Sequence, residues 1–228
     1  MRIDIVTGIP KLLESPFQES ILKRAQGKGI VSLFVHDLRD CTHDKHKTID
    51  DTPYGGGAGM ILKPEPIFEC VEVLTKQRAY DEVILLTADG EQFTQQIANE
   101  LSLRKNLILI CGHYKGVDER VREALVTREI SIGDYVLTGG ELAAAVVVDA
   151  IARLIPGVLN DGESALSDSF QDGLLGSPQY TKPPDFRGMK VPEVLLSGDH
   201  KEIERWREQQ RVERTKSRRR DLIQEHHA

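Results

Sequence analysis

Three glycine-bearing segments could together hold a flat, mostly uncharged ligand. They are Leu86-Thr87-Ala88-Asp89-Gly90, Cys111-Gly112-His113-Tyr114-Lys115-Gly116, and residues 132–141, which contain Ile132, Gly133, Tyr135, Leu137, Gly139 and Gly140. Each follows a β-rich run. Glycine lets backbone approach a ligand closely and adopt positive φ, and in open α/β sheets ligands bind beyond the C-terminal ends of the strands. A single segment of this kind is an ordinary turn, but three at successive strand ends describe one small-molecule pocket. The chain has neither G-x-x-x-x-G-K-[ST] nor G-x-G-x-x-G, so neither glycine signature of phosphate cradling is present. Tyr114, Tyr135, Leu86 and Leu137 suit an adenine or another planar group held by backbone N–H and C=O.

Other candidates are weaker when taken singly. Tyr54-Gly55-Gly56-Gly57-Ala58-Gly59 is the densest glycine stretch. It is either a loop that lets a planar base slide against backbone or a tight structural turn. Cys41-Thr42-His43-Asp44-Lys45-His46 invites a zinc reading, but Lys45 repels a cation and no second ligand cluster follows. Hydrogen-bonding and polar-surface roles are expected there, and no metal site. No G-x-S-x-G elbow occurs. Cys111 reads as a small buried residue rather than a nucleophile. Arg153 ends the most apolar helical run, where a cation offsets the helix dipole. Asp168, in Ser167-Asp168-Ser169-Phe170, could be a cap or turn former.

These residues need elements to position them. Short β-rich runs alternate with helical patterns over the first 155 residues, the signature of an α/β sheet. Strands are predicted over residues 2–7, 32–37, 82–87, 106–111 and 129–132. The first, third and fourth read as continuously apolar, as strands covered on both faces must be. Helices are predicted over 17–28, 64–77, 92–102 and 140–154. The last is apolar nearly all round and is expected to be buried. From 157 to 192 Gly, Pro, Ser and Asp accumulate, which reads as a long linker. A short helical region built around Ile203, Trp206 and Val212 follows.

With 228 residues, 39% of them hydrophobic and 29% charged, the chain has the composition of an ordinary soluble globular protein with a real core. No apolar run approaches the ~20 residues of a membrane helix, and the first residues do not read as a signal peptide. Three cysteines outside any C-x-x-C pair argue against a disulfide framework and fit a reducing cytoplasm. Charge is uneven. Residues 200–220 hold nine Lys/Arg against four Glu, a local +5 within a total of −6, which leaves −11 on the rest. That basic segment is either a polyanion-binding surface or a solvated helix with internal ion pairs.

Taken together and in order, these segments resemble the bacterial tRNA (guanine-N1)-methyltransferases, knotted enzymes of the SPOUT class. The resemblance rests on Thr42-His43-Asp44-Lys45-His46, Gly55-Gly56-Gly57-Ala58-Gly59-Met60, Gly112-His113-Tyr114, Gly116-Val117-Asp118-Glu119-Arg120 and Ile132-Gly133-Asp134-Tyr135-Val136-Leu137-Thr138-Gly139-Gly140-Glu141-Leu142. Downstream it continues through Arg153-Leu154-Ile155-Pro156-Gly157, Asp168-Ser169-Phe170, Pro178-x-Tyr180-Thr181-x-Pro183 and Val191-Pro192. It implies an α/β fold with a mostly parallel sheet, a deep trefoil knot and a small helical C-terminal domain. The implied division is a knotted catalytic domain over 1–157, a linker carrying the catalytic Asp over 158–192, and a basic tRNA-binding domain over 193–228.

The resemblance further implies S-adenosyl-L-methionine as methyl donor, bound by Leu86, Thr87, Gly112, Tyr114, Gly116, Ile132, Gly133, Tyr135, Leu137, Gly139 and Gly140. It places Asp168 as general base and Arg153 beside guanine O6, with Gly59 and Ser164 on the substrate side. The implied substrate is tRNA with guanosine at 37, preferably also at 36, and the implied assembly a homodimer with a shared active site. Two departures stand out. Lys115 occupies a place where the family commonly has glutamate, and a lysine cannot ligate a cation, so the magnesium linked to that place is left open. Thr87-Ala88-Asp89-Gly90 replaces the usual Ser-Pro-Gln-Gly. Rival readings are a knotted methyltransferase acting on a ribose 2′-oxygen, an inert binding module, and a flavodoxin-like regulatory domain.

Overall fold

Side chains that alternate along three apolar strands build two cores, one on each face of a central sheet. The computed structural model describes residues 1–159 and 168–224 and divides into two units, Met1–Gly162 and Glu163–Ala228. In the first unit the strands are β1 (Arg2–Thr7), β2 (Ser32–Asp37), β3 (Asp50–Asp51), β4 (Ile61–Leu62), β5 (Glu82–Gln92), β6 (Asn106–Cys111) and β7 (Arg128–Ser131). Five of them form a sheet of order β2-β1-β6-β5-β7, parallel throughout. The short pair β3-β4 is antiparallel.

The helices of this unit are α1 (Glu14–Phe17), α2 (Ser20–Gly27), α3 (Pro64–Gln77), α4 (Gln95–Ser102), α5 (Glu119–Leu125) and α6 (Glu141–Ala152). Ile3, Ile5, Ile84, Leu86, Leu107 and Leu109 point to one face, where they meet α2, α4 and α6. Val6, Val83, Leu85, Ile108 and Ile110 point to the other, against α3 and α5. Each fully buried aliphatic side chain contributes about 1.5–3 kcal/mol relative to exposure.

Several expectations are corrected. The run of β1 is interrupted by Asp4, which is fully buried. It accepts hydrogen bonds from Arg2 Nε at 2.6 Å, His36 Nε2 at 2.8 Å and the Tyr80 hydroxyl at 2.8 Å. A carboxylate is tolerated in the core because its acceptors are satisfied. β5 continues past Thr87 to Gln92: the ladder stops at Leu86–Ile130 and resumes at Glu91, opposite the same Ile130. α4 begins at Gln95 because the Thr94 hydroxyl caps the Ile97 amide. The helix expected over 17–28 is instead α2, which starts at Ser20 (φ 52°) after a break at Gln18 and Glu19, with the short α1 ending at Phe17. β7 starts and ends one residue early, so Ile132 already lies in the loop. α5, capped by Asp118, has no counterpart among the predicted helices. α6 is not buried all round, since Leu142 and Val146 are about half exposed, at 52% and 49%.

In the second unit a hairpin pairs Asp185–Phe186 with Met189–Lys190. Its tip, Arg187-Gly188, has positive φ at both residues. A short helix, Glu193–Leu196, precedes the long helix His200–Arg218. Asp199 caps the long helix by accepting the Lys201 and Glu202 amides.

Candidate active site

The end of β5 makes an excursion. Because Leu86 and Glu91 both pair with Ile130, residues 87–90 loop out of the sheet without ladder partners. Gly90 lies directly against β7, where a Cβ would sit 2.5 Å from the Ile130 nitrogen, closer than any side chain can come. After β7 the chain turns back from the sheet edge. His113 and Gly139 form an isolated antiparallel bridge, and the Gly140 amide donates to the Gly112 carbonyl at 2.8 Å. Gly140 permits this approach, since a Cβ there would be 2.9 Å from Cys111 Cα. The segment after β7 thus returns to the end of β6 before α6 begins.

These moves create one cleft. It is lined by Leu86 and Thr87 from β5, by Gly112, Tyr114 and Gly116 after β6, and by Ile132, Gly133, Tyr135, Leu137, Gly139 and Gly140 after β7. All the residues singled out for the pocket meet there. Gly59, 56 residues before Lys115 in the chain, is brought close by backbone pairing. The Lys115 amide donates to the Met60 carbonyl and the Leu62 amide to the Gly116 carbonyl, each at 3.0 Å. The Lys115 side chain then runs beneath Gly59, where a Cβ would fall 2.9 Å from Lys115 Cγ.

Arg153 is the C-cap of α6, its amide bonded to the Asp149 carbonyl at 3.2 Å. Asp168 belongs to the second unit, partly buried at the start of a tight turn. In that turn the Phe170 amide donates to the Leu174 carbonyl and the Gly176 amide to Ser169 Oγ, each at 2.8 Å. The turn is fastened to the long helix. Arg211 bonds Asp172, and the Leu175 amide donates to Thr215 Oγ1 at 2.9 Å. Burial pushes the Asp172 carboxyl up, but the Arg211 guanidinium outweighs it and holds the group below the usual carboxylate range. Ser164 lies outside the described residues.

Sequence reasoning missed four participants. Glu141, 1% exposed at the start of α6, accepts the Thr7 hydroxyl at 2.6 Å. His113 Nδ1 lies 4.0 Å from the same carboxylate and is buried without a hydrogen bond among the described residues. Arg122 reaches the cleft from α5. A glutamate opening the most apolar helix was the available signal for Glu141, and His113 stands inside the glycine segment after β6; Thr7 and Arg122 gave none that spacing could read. The histidine segment is a polar surface, as expected: His43 bonds Glu69 at 2.7 Å, and Asp44 accepts the Thr48 amide and hydroxyl. Cys111 is fully buried, and burial followed by the nearby Glu141 charge pushes its thiol well above the ordinary range, so it is no nucleophile.

A family model described as tRNA (Guanine-1)-methyltransferase TrmD matches residues 1–225. The chain belongs to that family. Relatives named tRNA (guanine-N(1)-)-methyltransferase agree along nearly the whole length. One from Cytophaga hutchinsonii is 63% identical over 224 residues, covering 98% of this chain and 95% of the relative. Another from Bacteroides thetaiotaomicron is 59% identical over 225 residues, covering 99% and 100%. One from Porphyromonas gingivalis shows the same identity and coverage. Membership in the tRNA (guanine-1)-methyltransferase family makes the protein a methyltransferase. The parallel α/β sheet agrees with the fold expected for that family. Among the described residues no helix is long and apolar enough to cross a membrane.

Proposed function

We propose that this protein transfers a methyl group from S-adenosyl-L-methionine to N1 of guanosine 37 in tRNA, acting in the cytoplasm and helping to maintain the reading frame. The observation that carries the reading is the convergence of three strand-end loops on one cleft, in a chain that matches the family from end to end. The cleft suits the donor. Closely approaching backbone and the Tyr114, Tyr135, Leu86 and Leu137 side chains fit an adenosine, and His113 lines the same cleft. When bound, S-adenosyl-L-methionine supplies a methyl group on a sulfonium.

Guanine N1 carries a proton at neutral pH and is a poor nucleophile while it does. In this reading the Asp168 carboxylate takes that proton, and the charge that moves onto O6 is stabilised by the Arg153 guanidinium. N1 then bonds the methyl carbon as the carbon–sulfur bond breaks. Gly59 and Ser164 contact the target guanine. Holding donor and N1 in line accounts for much of the remaining acceleration. Lys115 cannot ligate magnesium, so this reading assigns that ion no role at the Lys115 position.

The return of residues 132–140 to β6 is the part of the chain assigned to the trefoil knot. In this reading the protein works as a homodimer with a shared active site. The half-exposed Leu142 and Val146, with Val136 at 87% exposure, offer an apolar face for a second copy. The basic helix His200–Arg218 fits the phosphates of the anticodon arm. The division into a catalytic domain over 1–157, a linker over 158–192 and a tRNA-binding domain over 193–228 is kept as part of this reading.

Transfer of labelled methyl to unmodified tRNA transcripts with guanosine or adenosine at 37 tests it. Label confined to the guanosine transcript, at N1, is expected, with guanosine 36 preferred. Equal labelling of both transcripts would move the target elsewhere, and binding of both ligands without turnover would leave an inert scaffold.

A further inference from the structure

The wall of the cleft formed by residues 87–90 has no ladder partners, so something else must hold its shape. Gly90 braces one end against β7. The rest is held from α5 by a single guanidinium. Arg122 Nη2 donates to Thr87 Oγ1 at 3.1 Å and to Asp89 Oδ2 at 3.0 Å. Its Nη1 donates to Glu129 Oε2 on β7 at 2.8 Å, and its Nε faces Glu119 Oε2 at 3.6 Å. The Arg122 side chain is 19% exposed, whereas Asp89 is 72% exposed. An ion pair with so open a partner adds little to global stability. Its effect is local, because one planar fork joins the excursion, the strand beside it and the helix beneath.

We propose that Arg122 is a positioning residue for the methyl donor: it presets the unpaired 87–90 wall in its binding shape, so that the loop need not be ordered when the cofactor enters. The inference rests on the assignment of the cleft to S-adenosyl-L-methionine. Preorganisation of this kind is read in affinity rather than in global stability. A lysine, a point charge without the fork, replaces only part of it. Glu129 does not line the cleft, so its removal acts on the wall only by loosening Arg122.

Calorimetric titration of S-adenosyl-L-methionine into the full chain, with thermal melting of each variant, decides the matter. Arg122→Ala is expected to weaken cofactor binding by about tenfold or more, with Arg122→Lys intermediate. Glu129→Ala shifts binding in the same direction, and tRNA affinity stays unchanged in all three. Arg122→Ala combined with Asp89→Ala is expected to be no worse than the weaker-binding of the two single variants, as members of one clamp behave. Folded Arg122→Ala with wild-type cofactor affinity would overturn the proposal. Should that variant not fold, unchanged affinity in Glu129→Ala and Arg122→Lys would overturn it equally. Failure of the unaltered protein to bind the cofactor would instead remove the cleft assignment, and this inference with it.

Discussion

The buried hydroxyl of Thr215 accepts the backbone amide of Leu175 at 2.9 Å and donates to the Arg211 carbonyl at 2.7 Å. Thr215 is fully buried. Through it, the turn that begins at Asp168 is fastened to the same helix that carries the basic surface. In the proposed mechanism Asp168 is the base, which must be held within hydrogen-bond reach of its target, and the turn's bonds to this helix would supply that support.

Thr215→Val keeps the shape and removes the acceptor, which leaves the Leu175 amide unsatisfied at a cost of about 1–3 kcal/mol. We expect a lower melting temperature and a reduced kcat with cofactor affinity unchanged. Calorimetry and steady-state kinetics check both.

Asp168→Asn is nearly isosteric but cannot take the N1 proton. Cofactor binding should persist while methyl transfer falls by about 10²–10⁴-fold, the usual contribution of a positioned base. Normal turnover in that variant would refute the assignment. Arg153→Ala should also lower kcat, since it removes the cation proposed to stabilise O6.

Gly140→Ala places a methyl 2.9 Å from Cys111 Cα and 3.1 Å from the Gly112 nitrogen. Backbone cannot yield as a side-chain tip does, so overpacking of about 1–3 kcal/mol is expected. Because the same contact closes the cleft, cofactor affinity should fall together with the melting temperature.

Asp4 gives a pH dependence. Burial pushes its carboxyl up, but hydrogen bonds from His36, Arg2 and Tyr80 outweigh this and hold it at about 2, against an ordinary 3.8. A depressed carboxylate contributes stability that is present above its unfolded value and lost as pH falls through the folded one. The contribution, about 2 kcal/mol, should therefore disappear between about pH 4 and pH 2. Asp4→Ala, which strands three partners, should cost about 3–5 kcal/mol at neutral pH and flatten the acid limb of a stability–pH curve.

Much of the positive charge on the long helix and its C-cap is already engaged: Arg205 pairs with Glu202, Arg211 with Glu208 and Asp172, and the capping Arg219 with Asp221. Lys216 and Arg218 are exposed and make no ion pair among the described residues. Replacing both with glutamine should raise the KM for tRNA, leave cofactor affinity unchanged and flatten the salt dependence of binding by about 1–2 in log–log slope. Unaltered salt dependence would exclude this face from the tRNA contact.

The five strands of the main sheet were legible in the sequence to within a few residues. Runs such as Leu107-Ile108-Leu109-Ile110 must be covered on both sides, and the strand over 106–111 and the helix over 64–77 fall where period and proline place them. The sequence also marked the glycine segments that line the cleft, because strand ends followed by glycine are local patterns. How those segments meet depends on long-range pairing that no local pattern encodes. The double pairing of Ile130, the return of Gly139 and Gly140 to the end of β6, and the seat of Gly59 on Lys115 join residues far apart in the chain. The same holds for Asp4, Glu141, Arg122 and Thr215. Each is a polar residue whose place depends on partners from other elements, and a hydrogen bond across the fold leaves no period in the sequence to read.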